Sequence, residues 1–180
     1  MQKQDNKIAA QINLIKLPSN TKYEFVIDQH TSWMQEILLE LNENATYSDP
    51  RALLEATSLS VSGELEKKNK PDLGEFLTIN GTVSAHYATE CVRTLKPMKV
   101  DLEIPFKVCF MDQSLEDTEM FKETDETWVE NDVYEIYYYD KRTVNFKEMI
   151  HEQIFLHYNQ YPVLDAESSL EGISEERSKS

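Results

Sequence analysis

Three successive stretches in the middle of the chain alternate apolar and polar residues with a period of two, which limits the fold more than any other feature. Leu59, Val61, Gly63 and Leu65 alternate with Ser58, Ser60, Ser62 and Glu64. Leu77, Ile79, Val83, Ala85 and Tyr87 then face one way, and Thr78, Asn80, Thr82, Ser84 and His86 the other. After a break at 94–97, Met98, Val100, Leu102, Ile104, Phe106, Val108 and Phe110 alternate with mostly polar partners. Successive side chains of a strand point to opposite faces, so each stretch reads as a strand with one apolar face. Three in series predict an antiparallel meander packed on one side. Pro105 cannot donate to a ladder, which places an edge or a bulge there.

The flanks change period. Ile12–Leu17 and Tyr23–Ile27 read as strands separated by the turn signal Pro18-Ser19-Asn20. From Ser32, Trp33, Ile37 and Leu41 recur at helical spacing with Met34 and Leu38 beside them, and Ser32 with Gln35 matches a capping box. Asp49-Pro50 opens a short helical turn through Leu53 and Leu54. Between 111 and 132, Asp112, Glu116, Asp117, Glu119, Glu123, Asp125, Glu126, Glu130 and Asp132 face Lys122 alone, which reads as a solvated, mobile acidic loop. Val133–Tyr139 returns to a strand. Asn145 and Glu148 then cap a helix carrying Phe146, Met149, Ile150 and Ile154. The expected fold is α+β: an antiparallel sheet, with closure toward a barrel as one form, and main helices near 32–43 and 145–158. At 180 residues one unit is expected, spanning 1–170, with 171–180 as a polar disordered tail.

Charge and composition narrow the chemistry. Eighteen basic residues stand against 33 acidic ones, a net charge of −15, so broad attraction to a nucleic-acid backbone is disfavoured. The four glycines, Gly63, Gly74, Gly81 and Gly172, form no glycine-rich phosphate loop, which excludes P-loop and Rossmann nucleotide sites. No apolar run approaches the roughly 20 residues of a membrane helix. The polar start, Met1 to Lys7, lacks the order of a signal peptide, so the cytoplasm is the expected compartment and Cys91 and Cys109 are expected as thiols. His151-Glu152 lacks a second histidine four residues on, since that place is Phe155, and His157 falls on another helix face. Neither cysteine has a patterned histidine base, and no serine sits in a nucleophile elbow. Carboxylate pairs for hydrolysis need a rigid support, which a mobile loop does not supply. No catalytic residue, cofactor or small-molecule substrate is therefore assigned.

The turn 91–99 stands out because Arg93, Lys96 and Lys99 gather positive charge at the tip of a long hairpin in an acidic chain. A solvated turn accounts for such a cluster, and so does a contact with phosphate. Glu90-Cys91-Val92-Arg93-Thr94-Leu95-Lys96-Pro97, followed by the strand ending Phe106-Lys107-Val108-Cys109-Phe110, resembles the YceD family, the large ribosomal RNA subunit accumulation proteins. That family shows a strand entering a cysteine turn with proline, a second strand, an acidic variable loop, then a strand, a helix and a proline segment. Here the corresponding pieces follow in order: 111–132, Tyr134-Glu135-Ile136, Val144-Asn145-Phe146, Glu152-Gln153-Ile154-Phe155-Leu156 and Tyr161-Pro162-Val163. Cys91, Arg93 and Pro97 match the family motif.

The resemblance implies a non-enzymatic role in synthesis, processing or stability of 23S ribosomal RNA, with ribosomal RNA or a ribosome-assembly protein as partner. Relatives carry a second cysteine where this chain has Thr94, and further ligands near Ser168-Ser169, so no zinc site is expected. Cys91 is then a small buried residue continuing the apolar face of Ala85 and Tyr87. An acidic module that binds a basic partner with no ribosomal role is the alternative, and it places the contact on Glu123, Asp125 and Glu126.

Overall fold

The computed structural model describes residues 8–46 and 48–164. The three alternating stretches become β3 (Ser58–Lys70), β4 (Gly74–Glu90) and β5 (Pro97–Asp112), an antiparallel meander as expected. Their register aligns apolar rows across the sheet: Leu59, Ala85 and Leu102; Val61, Val83 and Ile104; Leu65, Ile79 and Val108. A slip of one residue would turn every one of these side chains to solvent, so the burial pattern specifies the pairing. One row is made of Gly63, Gly81 and Phe106. Gly81 leaves room for the ring, since a Cβ there would lie 2.7 Å from Phe106 Cζ, while a Cβ on Gly63 would meet the Asn80 carbonyl oxygen at 2.1 Å.

β2 (Lys22–Asp28) pairs antiparallel with β3, while β7 (Asp132–Tyr139) runs parallel to β5 and pairs antiparallel with β6 (Glu126–Val129). The strand order is β2-β3-β4-β5-β7-β6, so the sheet is open and the barrel expectation is corrected. Helices cover its apolar face, and the sheet has no need to curl onto itself. The expected all-antiparallel sheet is corrected too. The chain crosses from the end of β5 back to the start of β7, and such a crossover sets neighbours parallel. Pro105 sits without a bulge in the β4–β5 register. β7 begins to pair only at Val108, so Pro105 lies on a free strand edge where no donor is required.

The core is closed by α1 (Ser32–Leu41) and α3 (Phe146–His157). Trp33, Met34, Ile37, Leu38 and Leu41 of α1 are buried, as the spacing predicts. Phe146 meets Phe25 and Trp33 edge to face, with ring centroids 5.7 and 5.8 Å apart. α3 begins as expected: Asn145 accepts from the Glu148 amide at 3.3 Å and donates to its carboxylate at 2.8 Å. α2 (Pro50–Ala56) is capped by Asp49, which accepts from the Arg51 amide at 3.0 Å. The Ser32 capping box does not form; Thr31 is the cap and makes no side-chain bond. The strand expected over 12–17 is shortened to β1 (Gln11–Asn13), which pairs with β8 (Thr143–Asn145). Asn13 then accepts from the Ile15 amide at 2.9 Å and starts a helical turn, a local bond that competes with strand pairing.

The acidic segment differs from the strandless loop expected of it. It contains a short turn of helix at Gln113–Leu115 and the strand β6. Phe121 and Val129 are buried with Phe76, Cys109, Met111 and Tyr134 in a second apolar cluster. By strand parity this cluster lies on the face of the sheet opposite α1 and α3. The carboxylates set the segment's charge, but two apolar side chains decide where it lies. The tail at 171–180 lies outside the described residues.

Candidate functional site

The hairpin between β4 and β5 closes through backbone bonds. The Cys91 amide donates to the Lys96 carbonyl at 3.0 Å, and the Leu95 amide to the Cys91 carbonyl at 2.8 Å. Leu95 takes a left-handed conformation at φ 56° to make the turn. Cys91 is buried at its base, in the place the sequence assigned it. The Thr94 hydroxyl bonds to its sulfur, and the Leu164 amide donates to it at 3.4 Å. With the Thr94 and Arg93 amides added, these donors pull the thiol down to about 6. Cys109, walled in by apolar neighbours, is pushed up to about 12.

The C-terminal segment is drawn onto this turn. The Val92 amide donates to the Pro162 carbonyl at 2.9 Å. Tyr158 stacks obliquely on Tyr87 at 5.7 Å, and its hydroxyl accepts from Asn44 at 2.8 Å. Tyr161-Pro162-Val163 and the cysteine turn, 70 residues apart in the chain, therefore form one end of the molecule. Sequence spacing carries no signal for this contact, although both pieces stood in the same family pattern.

Arg93 and Lys96 lie in the turn and Lys99 at the start of β5, all three exposed. Among the described residues none has a carboxylate within ion-pair distance. Lys22, Lys67, Lys68, Lys107, Lys122, Arg142 and Lys147 hold carboxylates, while Lys16, Arg51, Lys70 and Lys141 are unpaired like the tip cations among the described residues; the tip differs in gathering its cations at one turn. Beside the cations, Val92, Leu95, Tyr161 and Val163 are exposed apolar side chains that sequence reasoning did not single out. The tip thus offers free positive charge together with an aromatic ring. Pro97 opens β5 and ends the turn.

Glu123, Asp125 and Glu126 are exposed elsewhere, also without ion-pair partners among the described residues. Glu126 stands level with Val108 through Glu135, roughly 35 Å along β5 from Pro97 at about 3.3 Å per residue. The two charged sets are therefore separate surfaces.

A zinc site does not fit this turn. Cys91 is the one soft donor of the turn, where tetrahedral zinc takes four ligands. Among the described residues no group of three or more histidine, cysteine or acidic side chains is placed to hold a metal, and Ser168-Ser169 lie outside them. His151 bonds to Glu40 at 2.8 Å and stacks on Phe155, while His157 bonds to the Gln153 carbonyl at 2.8 Å. Both are engaged in local helix-surface contacts.

A family model described as large ribosomal RNA subunit accumulation protein YceD matches residues 79–179, more than half of the chain. The chain belongs to the YceD family. No curated protein and no solved structure matches it. The YceD match begins within β4 and takes in the hairpin tip, the acidic segment, α3 and the proline segment. Every element of the candidate site is therefore YceD sequence, whereas α1, α2, β2 and β3 precede the matched region. No helix among the described residues is long and apolar enough to cross a membrane.

Proposed function

We propose that this YceD protein is a non-enzymatic, cytoplasmic factor in the synthesis, processing or stability of 23S ribosomal RNA, and that its hairpin tip touches the RNA backbone. The family description ties its members to accumulation of the large ribosomal subunit RNA. The observation that carries the tip assignment is the state of its cations. In a chain of net charge −15, Arg93, Lys96 and Lys99 gather at one turn, exposed and without carboxylate partners among the described residues. Three such cations at one turn can neutralise phosphate and fix the protein's position on a strand. The acidic remainder repels duplex backbone and keeps the contact local. The fold acts as one unit over 1–170 that presents this tip, and the turn is held by Cys91 and Pro162.

Replacing Arg93, Lys96 and Lys99 with alanine tests this. Three phosphate contacts on single-stranded RNA give a log–log salt slope of about 2, and the triple variant should lose it. Sedimentation with ribosomal particles at two salt concentrations reads the loss. The fold should be unchanged, since exposed turn charges contribute little to stability. Association of the triple variant at wild-type strength and salt dependence would refute the tip contact.

A further inference from the structure

Trp128 is 69% exposed although it sits within a strand, and its cross-strand neighbour Val133 is 37% exposed. β6 is the terminal strand of the sheet, so its outer edge is unpaired among the described residues. The Ile136 amide donates to the Asp125 carbonyl at 2.8 Å, which identifies 125, 127 and 129 as the residues bonded to β7. Glu126 and Trp128 consequently turn their backbone groups outward. Glu126's are met by the Thr124 hydroxyl, at 3.0 Å from its carbonyl and 3.4 Å from its amide, while those of Trp128 point to the open edge. Proteins usually blunt a free edge with charge and keep large aromatic side chains off it. Here the charge is present and the indole is left out.

The charges are also of one sign. Among the described residues Glu123, Asp125 and Glu126 carry no ion pair, whereas the nearby Glu130 and Asp132 are paired with Lys68 at 2.6 Å and Lys107 at 3.2 Å. An occupant of this edge must be extended, must present cations to the three free carboxylates, and gains from placing a guanidinium over the indole. Nucleic acid meets the first condition and fails the second, since its phosphates would face carboxylates.

We propose that the outer edge of β6, centred on Trp128, is a docking site for an extended basic polypeptide segment that adds to the sheet beside Trp128 and pairs with Glu123, Asp125 and Glu126. The site is distinct from the hairpin tip. The protein would hold a basic protein partner at one surface and RNA at the other.

The test titrates the full chain against a fluorescently labelled peptide of alternating arginine and valine. Trp33 is buried, so a blue shift of tryptophan emission on binding reports Trp128. Saturable binding at low salt with that shift is expected. Trp128→Ala should weaken it about tenfold, and the triple change Glu123→Gln, Asp125→Asn and Glu126→Gln at least as much. Trp128→Phe, which keeps an aromatic face, should stay within about threefold of wild type. The Arg93, Lys96 and Lys99 alanine variant should bind the peptide normally, so failure at this edge and failure at the tip are separable. Wild-type affinity in Trp128→Ala would overturn the proposal. So would no binding at low salt, or a single-stranded RNA oligonucleotide shifting Trp128 emission where the peptide does not.

Discussion

Alanine at Gly81 would set a methyl carbon 2.7 Å from Phe106 Cζ and 2.7 Å from the Ser62 carbonyl oxygen. Carbon atoms in contact ordinarily lie about 3.5–4.0 Å apart, so the ring must retreat by roughly 1 Å. Phe106 has little freedom to do so, being 5% exposed and held within the main core cluster. Overpacking of this kind costs about 1–3 kcal/mol. Alanine recovers about 0.5–1 kcal/mol of backbone entropy relative to glycine. Because the Ser62 carbonyl oxygen is backbone and yields less readily than a side chain, the cost lies toward the upper end, leaving a net loss of up to about 2.5 kcal/mol. Phe106→Ala alone should cost about 3–5 kcal/mol by emptying the same space. In the double variant the new methyl no longer meets a ring, so the two losses should sum to less than their separate values by at least about 0.5 kcal/mol. Urea denaturation measures all four corners of the cycle, with an unchanged m-value required for the comparison. Each kcal/mol lost should lower the melting temperature by about 2–4 °C in a chain of this size. Wild-type stability of Gly81→Ala, or strict additivity, would show that ring and glycine do not share the space assigned to them.

Three further outcomes follow from other parts of the molecule. Phe121→Ser should free the acidic segment from the second apolar cluster, so limited proteolysis should cut within 113–125 well before the wild-type chain is cut; equal cleavage rates would mean Phe121 is no anchor. Cys91 is an acid whose folded value, about 6, lies below its unfolded value near 9, so its contribution is present above pH 9 and lost as pH falls through 6. The melting temperature of wild type minus that of Cys91→Ser should therefore rise from pH 6 to pH 9, and a flat difference would show that the sulfur is not held as a thiolate. Chelators should leave the melting temperature unchanged, and elemental analysis should find no stoichiometric zinc; one tightly held equivalent would mean that ligands beyond the cysteine turn had been overlooked.

The alternation over 58–110 determined the meander and its apolar face, because a period of two assigns each side chain to one side of a half-buried sheet, while the pairing itself is set by the structure. The caps at Asp49 and Asn145 were equally legible, since a capping bond joins residues two or three apart and needs nothing distant. Cys91 was placed correctly by strand parity alone. The family was legible from the order of its pieces, and residues 79–179 bear that out.

What distant contacts decide was beyond reach. The parallel pairing of β5 with β7 depends on where the acidic segment lands, and that rests on Phe121 and Val129 meeting Phe76 across the sheet. Open edges at β2 and β6 follow from α1 and α3 covering the apolar face, a competition that no strand pattern records. Lys67 is a sharper case: strand parity puts a lysine on the core face, and only the Leu14 carbonyl at 2.8 Å and the Glu75 carboxylate at 3.5 Å make its burial tolerable. The candidate sites divide in the same way. Sequence located the clusters of charge, but which charges stay free depends on which opposite charges the fold brings within 4 Å, and that is a property of the tertiary structure alone.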